Sequence, residues 1–481
     1  MRKKQIINPY LPEYEYVPDG EPHVFDGRVY IYGSHDRFGG KKFCLNDYVC
    51  YSADVHDLTD WRYEGVIYKR NQDPRMADGE YQLWAPDVVR GKDGKYYLYY
   101  CPDDRIRSIG VAVSDAPAGK FEFLGVLHDK QGRAIGERPG DTIAFDPGVF
   151  IDDDGTIYLY SGNGPRYERA VGKEPKASVV MTLEDDMATI RSEPREMLPT
   201  LANSKGTGFE GHEFFEASSI RKINGRYYLV YSSRHLHELC YAVSDRPDGG
   251  YQYGGVLVSG CDIFPGQTDK PLNCIGNNHG GIECINGEYY IFYHRHTNRC
   301  MFSRQGCAEK LEILPDGSIP QVEMTSQGLN GGPLAGQGTY PAAMACHLYG
   351  RRRQSIAHPF YMRRQHPYFT QDGPDFDRET GILSKAPRQY ITNCKNGMTV
   401  TFRYFELEHL SAIAVKVRGK MNGKLKIYTD AAAAPVGEIT LQSAAAWKEY
   451  SAPVRAPAGV CSLSFKFEGG GKFDLLEFTL S

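Results

Sequence analysis

The chain has 481 residues, about three domains of ~150 residues by length alone, with 56 basic and 60 acidic side chains and a formal charge of −4. Apolar residues at 41 % exclude a disordered chain, and the charge balance excludes the basic bias of a nucleic-acid or membrane-surface protein. The 52 Gly and 34 Tyr, against 3 Trp, lean toward a β-rich, turn-rich fold.

At the N-terminus, Met1-Arg-Lys-Lys-Gln-Ile-Ile-Asn-Pro has a basic start, but only Ile6 and Ile7 precede a polar run. A signal peptide needs an apolar stretch there, so the expectation is a cytoplasmic protein, or a secreted one whose leader was trimmed. No segment approaches the roughly 20 apolar residues of a membrane span. The 12 Cys run from Cys44 to Cys461 with no C-x-x-C pair. Neither a zinc knuckle nor a redox motif is spelled out, and reduced thiols are expected.

One pattern then recurs along the chain: a polar tip, a Gly and an aromatic-rich run. It reads Gly27-Arg-Val-Tyr-Ile-Tyr, Gly94-Lys-Tyr-Tyr-Leu-Tyr-Tyr, Gly155-Thr-Ile-Tyr-Leu-Tyr, Gly225-Arg-Tyr-Tyr-Leu-Val-Tyr and Gly287-Glu-Tyr-Tyr-Ile-Phe-Tyr. The glycines are 67, 61, 70 and 62 residues apart. The tips are turn chemistry between two strands. Five hairpins at this period predict a five-bladed β-propeller with four strands per blade; a helical solenoid would need apolar spacing of 3.6, which is absent.

Seven to nine residues before each glycine stands a polar residue: Asp19, Asp87, Asp146, Glu216 and His279. In a propeller the innermost strands line a central channel, so equivalent positions of successive blades converge on one axis. A lone Asp-Pro is most simply a turn residue. A register-matched set of four carboxylates and a His is far harder to assign to turns alone.

These residues carry a resemblance. Pro18-Asp19, His23-Val-Phe-Asp-Gly27, Leu83-Trp-Ala-Pro86, Phe145-Asp-Pro147, Phe214-Phe-Glu-Ala217 and His279-Gly280, in this order over about the first 320 residues, are similar to glycoside hydrolase family 43. The resemblance implies a five-bladed propeller hydrolase that inverts configuration, with Asp19 as general base, Asp146 as orienting and pKa-tuning carboxylate and Glu216 as general acid. Asp19 is followed by Gly20 where the family usually has Pro, which leaves Glu21 as a rival base. Asp87 has no catalytic counterpart and reads as structural. The family also implies Trp84 and Phe145 as substrate-lining aromatics and Arg304 as a ligand of sugar hydroxyls. His279 is expected on the axis, hydrogen-bonding the acid region or holding a central hydrated cation, as relatives hold calcium. No other cofactor is expected, and Asp152-Asp-Asp154 reads as a hairpin turn rather than a calcium loop.

The chemistry stands without the family. Acetal hydrolysis needs a proton on the leaving oxygen and a nucleophile at the anomeric carbon, and an inverting enzyme holds acid and base some 6.5–9.5 Å apart to admit water. Glu216, behind two Phe, has an apolar setting suited to a protonated acid. Asp19, beside Gly20 and polar neighbours, suits an ionised base.

After Glu323 the chain turns Gly-rich, then basic, as linkers and wrapping segments do. From about residue 390, alternating runs such as Met398–Tyr404, Ala412–Val417 and Leu463–Phe467 predict an antiparallel β-sandwich. The phrase around Gly437, Trp447 and Phe473 resembles a family 6-type carbohydrate-binding jelly roll. The expected layout is a propeller over 1–322, a linker or wrapping segment over 323–365 and a sandwich over 366–481. The function expected is exo-hydrolysis of terminal α-L-arabinofuranosyl or β-D-xylosyl residues from plant hemicellulose. An endo-arabinanase and a non-catalytic sugar-binding propeller are the alternatives, and the partner is an oligo- or polysaccharide in each case.

Overall fold

The computed structural model describes residues 4–77, 81–103, 106–141, 143–164, 177–264, 266, 268–351, 366–379 and 385–481. Residues 352–365 of the expected linker therefore lie outside the described residues. The architecture is all-β: a five-bladed propeller followed by a curled sheet that forms a sandwich.

The first blade is β1 (Glu21–Phe25), β2 (Arg28–Tyr32), β3 (Tyr48–Asp54) and β4 (Asp57–Tyr68). The second is β5 (Leu83–Arg90), β6 (Tyr96–Pro102), β7 (Gly110–Ser114) and β8 (Glu122–Val126), and the third β9 (Gly148–Ile151), β10 (Ile157–Ser161), β11 (Ala177–Leu183) and β12 (Arg195–Pro199). The fourth is β13 (Phe214–Ile223), β14 (Arg226–Ser233), β15 (Leu239–Ser244) and β16 (Gln252–Val258), and the fifth β17 (Ile282–Ile285), β18 (Glu288–His296) and β19 (Arg304–Leu311). Each blade is an antiparallel meander in chain order. The repeated glycines sit at the β1–β2, β5–β6, β9–β10, β13–β14 and β17–β18 turns. At three of them the paired left-handed residues Asp26–Gly27, Asn224–Gly225 and Asn286–Gly287 have φ of 48 and 78°, 51 and 80°, and 52 and 83°. That is the two-residue turn whose twist matches the flanking strands.

Apolar clusters lie between blades. Val29, Ile31 and Val49 of the first blade pack with Tyr290, Phe292 and Ala308 of the fifth, closing the ring. Tyr30, Tyr32 and Tyr48 pack with Val88, Leu98 and Tyr100 of the second. The surplus tyrosines thus serve inter-blade packing, with hydroxyls that reach backbone carbonyls, as Tyr32 does at Pro117 and Tyr160 at Pro247.

The fifth blade departs from the expected four strands: it has three. Beside its edge strand β19 lies the N-terminal segment. The Asn8 side chain accepts from the Ala308 amide and donates to the Ala308 carbonyl, both at 3.0 Å, in place of a ladder partner.

The C-terminal sheet comprises β20 (Leu334–Ala335), β21 (Gly338–Pro341), β22 (His347–Tyr349), β23 (Tyr368–Gln371), β24 (Gln389–Cys394), β25 (Thr399–Leu407), β26 (Ala412–Thr429), β27 (Gly437–Pro453) and β28 (Gly459–Leu480). The long β28 pairs with β21, β24, β25 and β26, so one sheet curls on itself around Val415, Val417, Phe402, Phe465 and Phe478. Three of its strands, β20, β21 and β22, come from the stretch 323–365 expected as a linker, so ordered sheet begins at residue 334. Their pairing with β25 and β28 wraps that stretch onto the sandwich as short edge strands, where Pro is tolerated.

The two halves are joined by polar contacts. Tyr16 donates to Gln371 at 2.7 Å, Arg295 donates to the Ala343 carbonyl, and Asp262 meets His347 at 2.6 Å and Arg403 at 3.1 Å.

Candidate active site

The register argument places its residues at the start of the first strand of each blade. Asp19 lies just before β1, Asp146 just before β9, and Glu216 near the start of β13. Asp19 and Asp146 are left-handed, with φ of 55 and 47°, as is Ala217 at 71°. Asp tolerates this conformation better than most residues, whereas Ala does not, so the kink beside Glu216 is a strained one. The β13–β14 register shifts on both sides of Glu216, and such bulges re-aim a side chain.

One cavity of about 660 Å³ receives all of the predicted residues: Asp19, Trp84, Phe145, Asp146, Glu216, His279 and Arg304 line it together. Trp84 and Phe145 stand edge to face at 5.4 Å. Glu21 is buried outside this lining, held by Ser219 at 2.6 Å and Arg221 at 3.0 Å. Asp87 is likewise away from the cavity. Its oxygens accept from the Val88 and Val149 amides at 2.7 Å and meet His23 at 2.7 Å, which ties the second blade to the third.

The three carboxylates have different partners. Asp19 receives Arg304 Nη1 at 2.8 Å and lies 3.3 Å from His294 Nδ1. Burial alone would raise its carboxyl, but the Arg304 charge and the His294 contact outweigh it and hold Asp19 well below the ordinary range. Arg304 is itself fully buried and clamped by Asp36, which takes its backbone amide at 3.0 Å, Nε at 2.9 Å and Nη2 at 3.0 Å. Arg304 thus lines the cavity as expected, yet its guanidinium is engaged first with two carboxylates.

Asp146 accepts the Ala217 amide at 3.2 Å and faces His279 Nδ1 at 3.5 Å. Burial raises the Asp146 carboxyl, only partly offset by His279. Burial would lower His279, but Asp146, Asp19 and Glu21 lift it to about 9. Glu216, with a side chain 15 % exposed, accepts from Asn163 Nδ2 at 3.1 Å and has His237 Nδ1 at 3.7 Å. It is the most open of the three to the cavity, since the side chains of Asp19 and Asp146 are 7 % and 6 % exposed.

Several lining residues escaped the sequence reading: Phe43, Phe215, Phe302, Asn277 and the run Arg234-His235-Leu236-His237. Phe43 and Phe302 come from different loops and meet edge to face at 4.8 Å; no periodicity marks them. Asp36 and His294 also escaped. His294 could have been found, because it closes the fifth copy of the repeated hairpin where the matching positions of the other copies are Ser34, Cys101, Gly162 and Ser232.

Comparison with known proteins agrees with the geometry. Residues 16–319, which contain all five blades, match the family model described as glycosyl hydrolases family 43. A xylosidase/arabinosidase of Thermoclostridium stercorarium is 49 % identical, covering 99 % of both chains. A solved family 43 β-xylosidase/α-arabinofuranosidase from a compost microbial metagenome, in complex with xylotriose, is 29 % identical, with a TM-score of 0.52 over 66 % of this chain and 98 % of that one. The arabinoxylan arabinofuranohydrolase of Bacillus subtilis, at 22 % identity and a TM-score of 0.52, covers 98 % of this chain and 97 % of its own, so the likeness of fold extends through the C-terminal sheet. The chain belongs to glycosyl hydrolase family 43.

Proposed function

We propose that the protein is an inverting exo-glycosidase that releases terminal α-L-arabinofuranosyl or β-D-xylosyl residues from hemicellulose fragments. The observation that carries this reading is the convergence of Asp19, Asp146 and Glu216 on one cavity with three different sets of partners. The full-length likeness to a xylosidase/arabinosidase supports the substrate class.

Asp19, kept ionised by Arg304, takes a proton from the water that attacks the anomeric carbon. Glu216 delivers a proton to the leaving oxygen. Asp146 grips the amide of Ala217, the residue after Glu216, and so fixes the kinked backbone that aims the acid. Arg304 acts on Asp19 more than on sugar hydroxyls. Trp84 and Phe145 supply the apolar surface for a sugar face.

Calcium takes oxygen donors, so a hydrated ion that meets His279 through water is the form of that expectation we retain. For the C-terminal sheet we keep the resemblance to a family 6-type carbohydrate-binding jelly roll.

Glu216→Gln tests the reading: turnover of nitrophenyl pentosides should collapse while sugar binding persists, and unchanged hydrolysis overturns it. Proton NMR of the first-formed anomer tests inversion, and release of the retained anomer overturns that part.

A further inference from the structure

Outside the cavity, the described residues hold two compact clusters with the donor types of a metal site: Glu21, His23 and Asp87, and His212, Glu238 and Cys240. In the first, both Asp87 oxygens are taken by backbone amides and Glu21 is paired with Arg221. The second is different. Glu238 immediately precedes β15 and Cys240 is two residues on, so strand alternation turns both to one face. His212 approaches them from the turn before β13. Its Nδ1 lies 3.5 Å from Glu238 Oε2 and 4.0 Å from Cys240 Sγ, and all three donor atoms fall within 4.8 Å of one another.

An independent feature points to a missing partner. Glu238 Oε2 is buried and accepts no hydrogen bond, although its side chain is only 6 % exposed. A buried carboxylate oxygen left unmatched costs ~1–3 kcal/mol or more. The His212 ring is also fixed in advance: it stacks on Tyr253 at 4.8 Å with the planes 13° apart, and its carbonyl accepts from Tyr231 Oη at 2.7 Å. Its side chain is 33 % exposed, which leaves a route for an ion and for a water as fourth ligand.

We propose that His212 Nδ1, Glu238 Oε2 and Cys240 Sγ form a zinc-binding site on the fourth blade. One sulfur, one imidazole nitrogen and one carboxylate oxygen suit tetrahedral zinc rather than calcium or magnesium, which take oxygen. Donor separations around tetrahedral zinc are about 3.5 Å, so small rotations of Cys240 and His212 complete the site. On binding, the Cys240 thiol gives its proton to solvent and the thiolate takes its place on the ion.

The site sits at the base of the hairpin that carries Arg234, His235, Leu236 and His237 into the cavity. Ser233 donates to the Glu238 carbonyl and Arg234 to the Glu213 carbonyl, each at 2.9 Å. Leu236 and His237 are both left-handed, with φ of 57 and 51°. Zinc would staple this strained hairpin to the turn holding His212 and stiffen one wall of the cavity.

The test uses the full chain, stripped with chelator and titrated with Co²⁺ and then Zn²⁺. One Co²⁺ per chain should give a thiolate-to-cobalt charge-transfer band with tetrahedral visible bands, and Zn²⁺ should displace it and raise the melting temperature. Cys240→Ser should lose the charge-transfer band, and His212→Ala should lose the tetrahedral spectrum; Cys461→Ser, in the C-terminal sheet, should keep both. Absence of the band in the wild-type chain, or its survival in Cys240→Ser, overturns the proposal. His212→Ala changes a partly exposed side chain and keeps the thiol, so the test does not hang on whether Cys240→Ser folds.

Discussion

Asp19, Asp146 and Glu216 enter the cavity from the axial ends of three blades, whereas Phe43 and Phe302 reach it from loops between strands. The first group is fixed by neighbours from the propeller itself. The second depends on braces from outside. Asp375 of the C-terminal half accepts the Phe38 amide at 2.7 Å and Asn46 Nδ2 at 3.1 Å, holding the loop that carries Phe43. The loop that carries Phe302 is held by the Phe369 carbonyl, which accepts the Asn298 amide at 2.8 Å, and by Arg299 over Tyr368 at 4.0 Å. The difference teaches that the three carboxylates belong to the propeller alone, while one wall of the cavity is shared with the sandwich. Breaking the first should remove turnover; breaking the second should change how sugar is held.

The largest expected effect is on the acid and base. Glu216→Gln and Asp19→Asn should each lower kcat by about 10²–10⁴-fold with little change in KM, as read by steady-state kinetics on a nitrophenyl pentoside. Next comes the clamp behind the base. Arg304→Met leaves Asp19 and Asp36 buried without their cation, so unfolding in urea should show a loss of about 3–5 kcal/mol. The same change should raise the Asp19 carboxyl and move the acidic limb of kcat/KM to higher pH.

The Asp146–His279 pair gives a smaller, pH-dependent effect. His279 is raised to about 9 in the folded protein, above ~6.5 when unfolded. Its contribution to stability is therefore full below ~6.5 and is lost as pH rises through about 9. Melting temperature should fall across that window, and His279→Gln should flatten the fall. The smallest effect is at the brace: Asp375→Ala should raise KM by less than about tenfold, ~1.4 kcal/mol, with kcat nearly unchanged. A kcat loss as large as that of Glu216→Gln would break the division between the two regions.

Much of the propeller was legible because a repeat displays one physical solution five times. The turn glycines and the polar residue seven to nine positions before each could be matched copy to copy, and Asp19, Asp146, Glu216 and His279 came out together. The fifth blade broke the pattern, since the Asn8 side chain replaces a strand and one residue leaves no periodic trace. Within the stretch 323–365, β20, β21 and β22 left no periodic trace for the opposite reason: they are two to four residues long, too short to show alternation.

The sequence by itself determined the blade count, the register of the inner strands and the residue types that the register gathers. These are local and periodic properties, set by turn chemistry and by alternation along a strand. Only the tertiary structure decided which carboxylate faces which cation. Arg304 lies 285 residues from Asp19 and 268 from Asp36, and the bonds among them exist only after the ring closes. The loops behave likewise: Phe43 and Phe302 become one wall only when the fifth blade docks on the first. Electrostatic environment and pocket shape depend on distance in space, and a linear chain does not carry that distance until it has folded.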